Sequence, residues 1–388
     1  MPALNPYLSQ RAPNPMFRLG ALVHGRADII HLEFGEPDFP TPAHIAQAAI
    51  KSIEGERQGY GPGNGLPWLR ELISERVARI DRFAPSPEQI VVTAGGTGGL
   101  MGSLLCMCTP GDEVLVPDPG WPGYEGMLAT AGARDVRYPL LPEAGWLPDL
   151  DALEAAVTAR TRVLLINSPS NPGGAVFPRQ TMEALVAFAQ CHDLWLLSDE
   201  CYDELIYEGE HVSPATLDTN GRVVTVGTFS KSYAMTGWRI GWVVAPPPLA
   251  PILTVATSAQ VNNLPLFVQR AAATALTGPQ ECVAEMRAAY QQRRDLAVKL
   301  LEEHGLLEYM PQGAFYLLVP VARAADLAAD VPFDSVAFAE RLITERGIAV
   351  APGGAFGSRT TRYARVSLAS SPESLQQGVS GMLELART

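Results

Sequence analysis

TVGTFSKSYAMTGWRIGW, residues 225–242, is the stretch around which the rest of the chain is expected to be arranged. Lys231 lies between a run of β-branched residues, which predicts a strand, and a glycine-broken segment that carries Arg239. Lysine is costly to hold inside a protein unless its amine is used, and an amine with a lowered pKa can form a Schiff base with a carbonyl group. Thr228 and Ser230 add hydroxyl groups just before the lysine. These are the groups needed to hold an aldehyde that bears a phosphate.

The segment resembles the lysine segment of the class I and II aminotransferases, which are pyridoxal-phosphate (PLP) enzymes of fold type I. In that family S/T-x-x-K is followed by G-W-R-x-G, as it is here. The resemblance implies that Lys231 is the cofactor-binding and catalytic amine, and that Thr228, Ser230 and Arg239 hold the cofactor phosphate. A surface loop with ordinary charges is the alternative from this segment alone, because short motifs produce false matches.

Composition excludes several other classes of protein. A chain of 388 residues exceeds the usual size of one core, and 47% hydrophobic residues suffice for a globular interior. The formal charge of −12 argues against a nucleic-acid partner. The five cysteines show no C-x-x-C spacing, and no apolar run is long enough to cross a membrane. We therefore expect a soluble cytoplasmic protein without a metal site or a disulfide framework.

A glycine-rich turn follows a predicted strand at residues 89–93 and precedes a helical run that continues through Cys108. This arrangement leaves backbone N–H groups free at a helix N-terminus, where they can bind an anion. Gly96 and Thr97 are the candidates for contacts with the phosphate. The pattern is weak by itself, and a tight turn without a ligand remains the alternative.

Aromatic residues in two predicted loops are further candidates. Trp121 and Tyr124 follow a predicted strand, and an aromatic face is a natural partner for an electron-poor ring. The resemblance selects Trp121 for stacking on the cofactor. Tyr60 lies in the glycine-rich segment GYGPGNGLPWLREL, and in the family the matching tyrosine reaches the phosphate of the neighbouring subunit. The resemblance therefore implies a homodimer with shared active sites. Trp121 and Tyr60 could also serve packing alone.

Polar residues follow two of the predicted strands. NSPSNPGG, residues 167–174, matches the family signature N-x-P-x-N-P-x-G, and Asp199 begins a D-E-x-Y match that ends at Tyr202. Asp199 lies at the carboxyl end of a buried strand, where open α/β sheets bind their ligands. A carboxylate there can pair with a protonated pyridine nitrogen. The resemblance implies that Asn171 and Tyr202 contact the phenolic oxygen of the cofactor and that Asn171 also contacts the substrate. A single strand-end aspartate would otherwise suggest a helix cap.

The two ends of the chain carry the substrate candidates. GEPDFPTP, which starts at Gly35, resembles the family segment whose glycine lies beside the substrate carboxylate, and we expect Thr41 to cap the helix after Pro42. YARVSLA, which starts at Tyr363, resembles the family segment whose arginine binds that carboxylate with a planar fork. Arg365 matches this position, whereas Arg362 lies outside the register of the motif.

Strands and helices alternate along residues 43–266, which predicts an α/β fold with a mostly parallel sheet covered on both faces. We predict a large PLP-binding domain over 43–266. The N-terminal arm, 1–42, and residues 267–388 are predicted to form a smaller α/β domain built from both chain ends. Together with the motifs, this organisation is that of fold type I.

The predicted function is that of a PLP-dependent aminotransferase acting on an α-amino acid and a 2-oxo acid. Neutral or aromatic side chains are expected over aspartate. The reasons are that Thr97 stands where some aspartate-specific relatives have lysine, and that QVNNLPLF, residues 260–267, contains no arginine. The alternative on the same fold is a PLP-dependent lyase, such as a C–S lyase or a relative of aminocyclopropane-carboxylate synthase. A transcription regulator with an aminotransferase-like domain would need a DNA-binding segment that the first forty residues do not suggest.

Overall fold

The structure is a computed structural model that describes residues 2, 4–9, 14–322 and 333–387, with the side chain of Phe17 left out. Its helices are α1 Pro6–Ser9, α2 Pro15–Val23, α3 Ala43–Gly55, α4 Pro67–Ile80, α5 Gly95–Met107, α6 Gly123–Ala131, α7 Leu150–Ala155, α8 Arg179–Cys191, α9 Ala250–Val261, α10 Leu266–Thr277, α11 Glu281–Glu303, α12 Ser335–Arg346 and α13 Pro372–Ala386. Its strands are β1 Ile30–His31, β2 Ile90–Thr93, β3 Glu113–Asp118, β4 Arg134–Leu141, β5 Leu147–Pro148, β6 Thr161–Asn167, β7 Trp195–Asp199, β8 Val223–Thr228, β9 Gly241–Val244, β10 Tyr316–Pro320, β11 Ile348–Ala349, β12 Ala351–Pro352 and β13 Tyr363–Ser367.

An eight-stranded sheet with the order β2-β9-β8-β7-β6-β3-β4-β5 forms the larger part of the molecule. Strands β8, β7, β6, β3 and β4 run parallel to their neighbours in this group. Strands β2, β9 and β5 pair antiparallel at the two sides. The predicted mostly parallel α/β sheet is therefore confirmed.

Helices cover both faces of this sheet because the central strands are apolar on both sides. In β6, Val163 and Leu165 pack in a cluster with residues of α5, α6 and α9, whereas Leu164 and Ile166 pack with residues of α7 and α8. Side chains of a strand point alternately to opposite faces, so a continuous apolar run serves two cores at once. In a parallel arrangement the carboxyl ends of the central strands share one edge, and the site lies along it.

The two chain ends build a second layer of structure. Strands β10, β13 and β12 form an antiparallel sheet, and β1 pairs with β11 in a parallel arrangement. Leu19 of α2, Tyr290 of α11, Leu342 of α12 and Leu375 of α13 belong to one apolar core with β10 and β13. Helix α10 packs in the core that also contains residues of α3 and α4. The division at residue 266 stays a prediction.

The expectation for Thr41 was wrong. Helix α3 begins at Ala43 without a side-chain cap. The Thr41 hydroxyl instead donates to the carbonyl oxygen of Ala234 at 2.6 Å and accepts from Trp238 Nε1 at 2.9 Å. Partners almost two hundred positions away in the sequence have replaced the local cap, and they join the Gly35 segment to the lysine loop.

Four elements of the larger part were not predicted, namely β4, β5, α6 and α9. The predicted loop after β3 ends at α6, which contains Tyr124. Strand β4 is only partly buried and mixes charges with a proline, so its pattern is not that of a buried strand. Helix α9 follows the proline run at 246–248 and has little apolar periodicity, since Ile252 and Val255 are exposed beside buried Leu253. Among the described helices, none is both long enough and apolar enough to cross a membrane.

Candidate active site

A cavity of about 630 Å³ opens at the carboxyl edge of the parallel strands. It brings together all but one of the predicted site residues, although they are spread over the chain from residue 35 to residue 365. The predicted residues that line it are Gly35, Gly96, Thr97, Trp121, Asn171, Asp199, Tyr202, Thr228, Ser230, Lys231, Arg239 and Arg365. Tyr60 is the exception: it is 90% exposed and lies against a different surface depression.

One end of the cavity is built to attract an anion. Helix α5 begins there at Gly95 without a side-chain cap, so its first amides remain available. The Thr228 hydroxyl donates to Ser230 Oγ at 2.8 Å, and Arg239 Nη2 lies 3.4 Å from the carbonyl oxygen of Ala94. Gly95 has a φ of +71°, and a Cβ added there would lie 2.7 Å from Arg239 Nη2. Glycine thus lets the guanidinium approach the helix N-terminus, and both favour negative charge.

Lys231 lies between this end and the opposite wall. Its Nζ donates to the carbonyl oxygen of Gly35 at 2.6 Å and lies 5.9 Å from the centre of the Tyr202 ring. Burial lowers the pKa of the amine, and the positive charge of Arg365 acts in the same direction. A lower pKa leaves a larger share of the amine neutral, which is the form that acts as a base or a nucleophile.

Asp199 is buried at the end of β7. Its Oδ2 accepts a hydrogen bond from the Tyr124 hydroxyl at 2.7 Å, and its carbonyl oxygen accepts one from Asn167 Nδ2 at 3.0 Å. Burial raises the pKa of Asp199, while the Tyr124 bond opposes that rise. The carboxylate is therefore fixed in orientation, and a cationic partner would offset the cost of its burial.

A buried group of charges lies directly behind Asp199. Glu200 receives a hydrogen-bonding contact from His211 Nε2 at 3.2 Å, and Arg76 pairs with Asp203 at 2.6 Å. Burial alone would lower the pKa of His211, but its bond to Glu200 and nearby carboxylates raise it to about 9. The imidazole therefore carries a positive charge at neutral pH. This ion pair holds the residue that follows Asp199, which limits movement of the strand end.

Arg365 forms the other end of the cavity. Its Nη1 donates to Asn171 Oδ1 at 3.0 Å and its Nη2 donates to the carbonyl oxygen of Glu33 at 2.7 Å. The guanidinium lies 4.3 Å from the Tyr316 ring centre and 4.8 Å from that of Phe356. Burial lowers the pKa of Arg365, but an arginine keeps its charge at neutral pH. Because these two bonds use only part of its N–H groups, donors remain for a carboxylate.

Several residues of the site were missed from the sequence. Tyr316 lines the cavity, and its hydroxyl lies 2.9 Å from that of Tyr202. All five residues of β10 are buried, so alternation does not distinguish the one that faces the cavity. Tyr124 was weighed only as a stacking partner, yet it bonds to Asp199. The sequence linked Tyr124 to Trp121 only by their spacing of three residues. In the structure their ring centres lie 5.4 Å apart.

Comparisons with known proteins agree over nearly the whole chain. The family model for aminotransferase class I and II matches residues 27–381. The chain is 40% identical over 363 residues to arginine–pyruvate transaminase of Pseudomonas aeruginosa, covering 93% of this chain and 91% of that protein. It is 39% identical over 358 residues to aspartate/prephenate aminotransferase of Thermus thermophilus, covering 91% and 89%. The structure of aspartate aminotransferase from Thermus thermophilus with maleate aligns with a TM-score of 0.90 at 36% identity, over 99% of this chain and 100% of that chain.

Proposed function

We propose that Lys231, Asp199 and Arg365 carry out the reaction of this chain, which belongs to the class I and II aminotransferases. The enzyme depends on PLP and moves amino groups between amino acids and 2-oxo acids. The similar proteins are named aminotransferases, so the lyase alternative is not favoured. One observation carries the assignment of roles: a buried carboxylate, a lysine of lowered pKa and a stacked arginine line one cavity.

The residues of the cavity fit PLP in their chemistry. The uncapped start of α5 with Gly96 and Thr97, together with Thr228, Ser230 and Arg239, would hold its phosphate. The close approach of Arg239 to Gly95 supports this assignment, because it concentrates positive charge at the helix end. Asp199 would pair with the ring nitrogen, and Trp121 would cover a ring face. When bound, PLP supplies an electron-withdrawing ring that stabilises negative charge at the amino acid Cα.

We assign proton transfer to Lys231. Its amine would hold the cofactor aldehyde carbon in the resting enzyme and, once displaced, take the proton from the Cα of the amino acid. Its contact with Gly35, which resembles the glycine at the family's substrate carboxylate, supports a position of Nζ between the proposed cofactor end and the proposed substrate end. The lowered pKa keeps part of the amine neutral and able to accept that proton.

We assign substrate orientation to Arg365, with Asn171 and Gly35 beside it. The planar guanidinium would bind the α-carboxylate through two parallel hydrogen bonds. Asn171 and Tyr202 would contact the phenolic oxygen of the cofactor. Holding the carboxylate and the phosphate at opposite ends would orient the amino acid so that its Cα–H bond faces the lysine, which is catalysis by orientation.

We further propose a preference for neutral or aromatic side chains over aspartate. The cations that line the described part of the cavity are Lys231, Arg239 and Arg365, and each already has a role. A second carboxylate would be buried there without a partner, which costs binding free energy. The names of the similar proteins include arginine, aspartate and prephenate, so those names do not decide the side chain.

A panel of amino acids with pyruvate and 2-oxoglutarate as acceptors tests this proposal. We expect kcat/KM for phenylalanine or leucine to exceed that for aspartate by about tenfold or more, since an unpaired buried charge costs at least about 1.4 kcal/mol. Thr97→Lys should raise the value for aspartate relative to phenylalanine by adding a cation. The highest kcat/KM with aspartate in the unaltered enzyme would contradict the preference. Release of pyruvate and ammonia from cysteine conjugates, without amino transfer, would favour a lyase.

We propose that the enzyme is a homodimer whose active sites are shared through Tyr60. The exposure of Tyr60 supports this, because its side chain is free to reach another subunit. Helix α9 adds an apolar surface, with Ile252 56% exposed and Val255 71% exposed. Exposed apolar groups of this kind mark protein interfaces. A cytoplasmic location is also proposed, and the five free cysteines are consistent with a reducing compartment.

Mixed dimers test the sharing of sites. A purified heterodimer of Lys231→Ala and Tyr60→Ala chains contains one site in which Lys231 faces an intact Tyr60 of the other chain. We expect about half of the wild-type activity at limiting cofactor, because one site of two is complete. If each Tyr60 served its own chain, the heterodimer would show only half of the reduced activity of the Tyr60→Ala homodimer.

A further inference from the structure

Asp118 is a buried carboxylate at the end of β3 to which the proposed reaction gives no role. It is 6% exposed. Its Oδ2 accepts hydrogen bonds from Ser358 Oγ at 2.6 Å and from Ser358 N at 3.2 Å, and its Oδ1 accepts one from Arg359 N at 3.3 Å. These donors belong to a segment that lies 240 positions further along the chain. We call Asp118 and Gly120, together with Phe356, Ser358 and Arg359, the rim latch.

The rim latch joins the cofactor side of the cavity to the substrate side. Gly120 N donates to the carbonyl oxygen of Phe356 at 2.9 Å, and Arg137 Nη1 donates to the same oxygen at 3.3 Å. Gly120 precedes Trp121, which lines the cofactor end, and Phe356 lines the substrate end. The hydrogen bonds of Asp118 therefore hold together two walls that come from distant parts of the chain.

Phe356 connects the rim latch to the carboxylate site. Its ring is buried and its centre lies 4.8 Å from the guanidinium carbon of Arg365. With Tyr316 it encloses the guanidinium, since the Tyr316 ring centre lies 4.3 Å from the same carbon. A planar cation with a ring nearby has little freedom to turn. Movement of Phe356 would release that restraint.

The local backbone is fitted to the carboxylate of Asp118. Gly357 has a φ of +145°, a conformation that side chains other than glycine rarely adopt. A Cβ added at Gly357 would lie 2.0 Å from Asp118 Oδ1. The close approach of the Gly357 backbone to the carboxylate thus depends on the absence of a side chain. This fit indicates a specific contact and not a general polar surface.

We propose that Asp118 is a positioning residue, which through Phe356 of the rim latch holds Arg365 in the orientation that binds the substrate carboxylate. The inference rests on the proposed role of Arg365. Asp118 touches neither the substrate nor the cofactor in this assignment. Weakening the rim latch lets the segment 353–361 shift, so that Arg365 spends less time in the binding orientation. The reaction at Cα, once the substrate is bound, is unchanged.

Asp118→Asn tests the proposal, because it keeps the size of the side chain but turns an amide N–H towards a donor. We expect KM for the amino acid and for the 2-oxo acid to rise about five- to tenfold, with kcat within about twofold and an unchanged Kd for the cofactor. Asp112→Asn is the matched control. Asp112 accepts from the N–H and the hydroxyl of Thr109, both at 2.8 Å, so these donors lie in the turn after α5 and not in the segment 353–361. It should lower Tm without changing KM.

Ser358→Ala removes one donor of the rim latch and tests the same contact independently, including the case in which Asp118→Asn does not fold. We expect KM to rise in Ser358→Ala. In the double variant Asp118→Asn/Ser358→Ala, KM should not exceed that of the single variant with the higher KM, because both changes break the same contact. An unchanged KM in Ser358→Ala, or the same KM change in Asp112→Asn, would overturn the proposal. If Arg365→Gln raises KM while the rim latch variants do not, the rim latch fails alone. If Arg365→Gln leaves KM unchanged, Arg365 does not bind the substrate carboxylate, and the inference about the rim latch fails together with that assignment.

Discussion

Replacement of Lys231 by alanine is expected to reduce kcat by about 10⁴-fold, because it removes the group that moves the Cα proton and that group alone contributes up to that factor. Lys231 is suited to this work by its lowered pKa and by its position 2.6 Å from the Gly35 carbonyl oxygen. A methyl group in its place leaves no other lysine near the cavity, since the remaining lysines are Lys51 and Lys299. Steady-state kinetics at saturating cofactor and substrate measure the loss.

A readout other than activity separates chemistry from folding. Borohydride reduction of the resting enzyme should attach the cofactor covalently, and intact-mass measurement should show one added cofactor per chain. The Lys231→Ala chain should gain no such mass. Lys51→Ala is the matched control, because Lys51 lies on the exposed side of α3, and it should behave as the unaltered enzyme. Covalent attachment in Lys231→Ala, or activity within tenfold of the unaltered enzyme, would refute the assignment.

Arg365→Gln should lower kcat/KM by about 10²-fold or more, mainly through KM for the amino acid and the 2-oxo acid. The change removes charge-assisted bonds to the α-carboxylate, and truncation of a buried charged partner commonly costs about 2–5 kcal/mol. It also leaves Asn171 Oδ1 and the Glu33 carbonyl oxygen without the donors that they have in the structure. Buried acceptors that lose their partners add to the loss.

Arg362→Gln is the control for this prediction. Arg362 lies three residues earlier, outside the motif register, and its Nη2 pairs with Glu308 at 2.9 Å. That pair is partly exposed, so its loss should change stability slightly and leave KM unaffected. Equal effects of the two substitutions on KM would show that general charge, and not a specific site at Arg365, attracts the substrate.

Much of the cavity could be predicted from the sequence because its residues occur in short motifs. Asp199 is the last residue of β7, Asn171 lies four residues after the end of β6, and Lys231 lies three residues after the end of β8. The carboxyl ends of parallel strands meet at one edge. Residues from motifs that are far apart along the chain therefore lie close together at that edge. Arg365 could be identified for a similar reason, since its motif distinguishes it from Arg362. The structure brings these residues into one cavity.

The unpredicted contacts join residues that are far apart in sequence. Tyr124 bonds to Asp199 across 75 positions, and Thr41 bonds to the Ala234 carbonyl oxygen across 193. No local pattern distinguishes these partners from other polar residues. The direction of β9 also could not be predicted, because apolar alternation is the same for parallel and antiparallel strands. It runs antiparallel between β2 and β8.

The pairing of β10 with β13 has a consequence for synthesis of the protein on the ribosome. The proposed cofactor contacts lie before residue 240, so a growing chain contains them long before it contains Arg365. Strand β10, whose five residues are all buried in the finished molecule, must wait for the β13 segment to emerge. Until then its apolar edge is a template for pairing with other chains. We therefore expect polypeptides released by translation that stops between these two strands to aggregate or to require a chaperone.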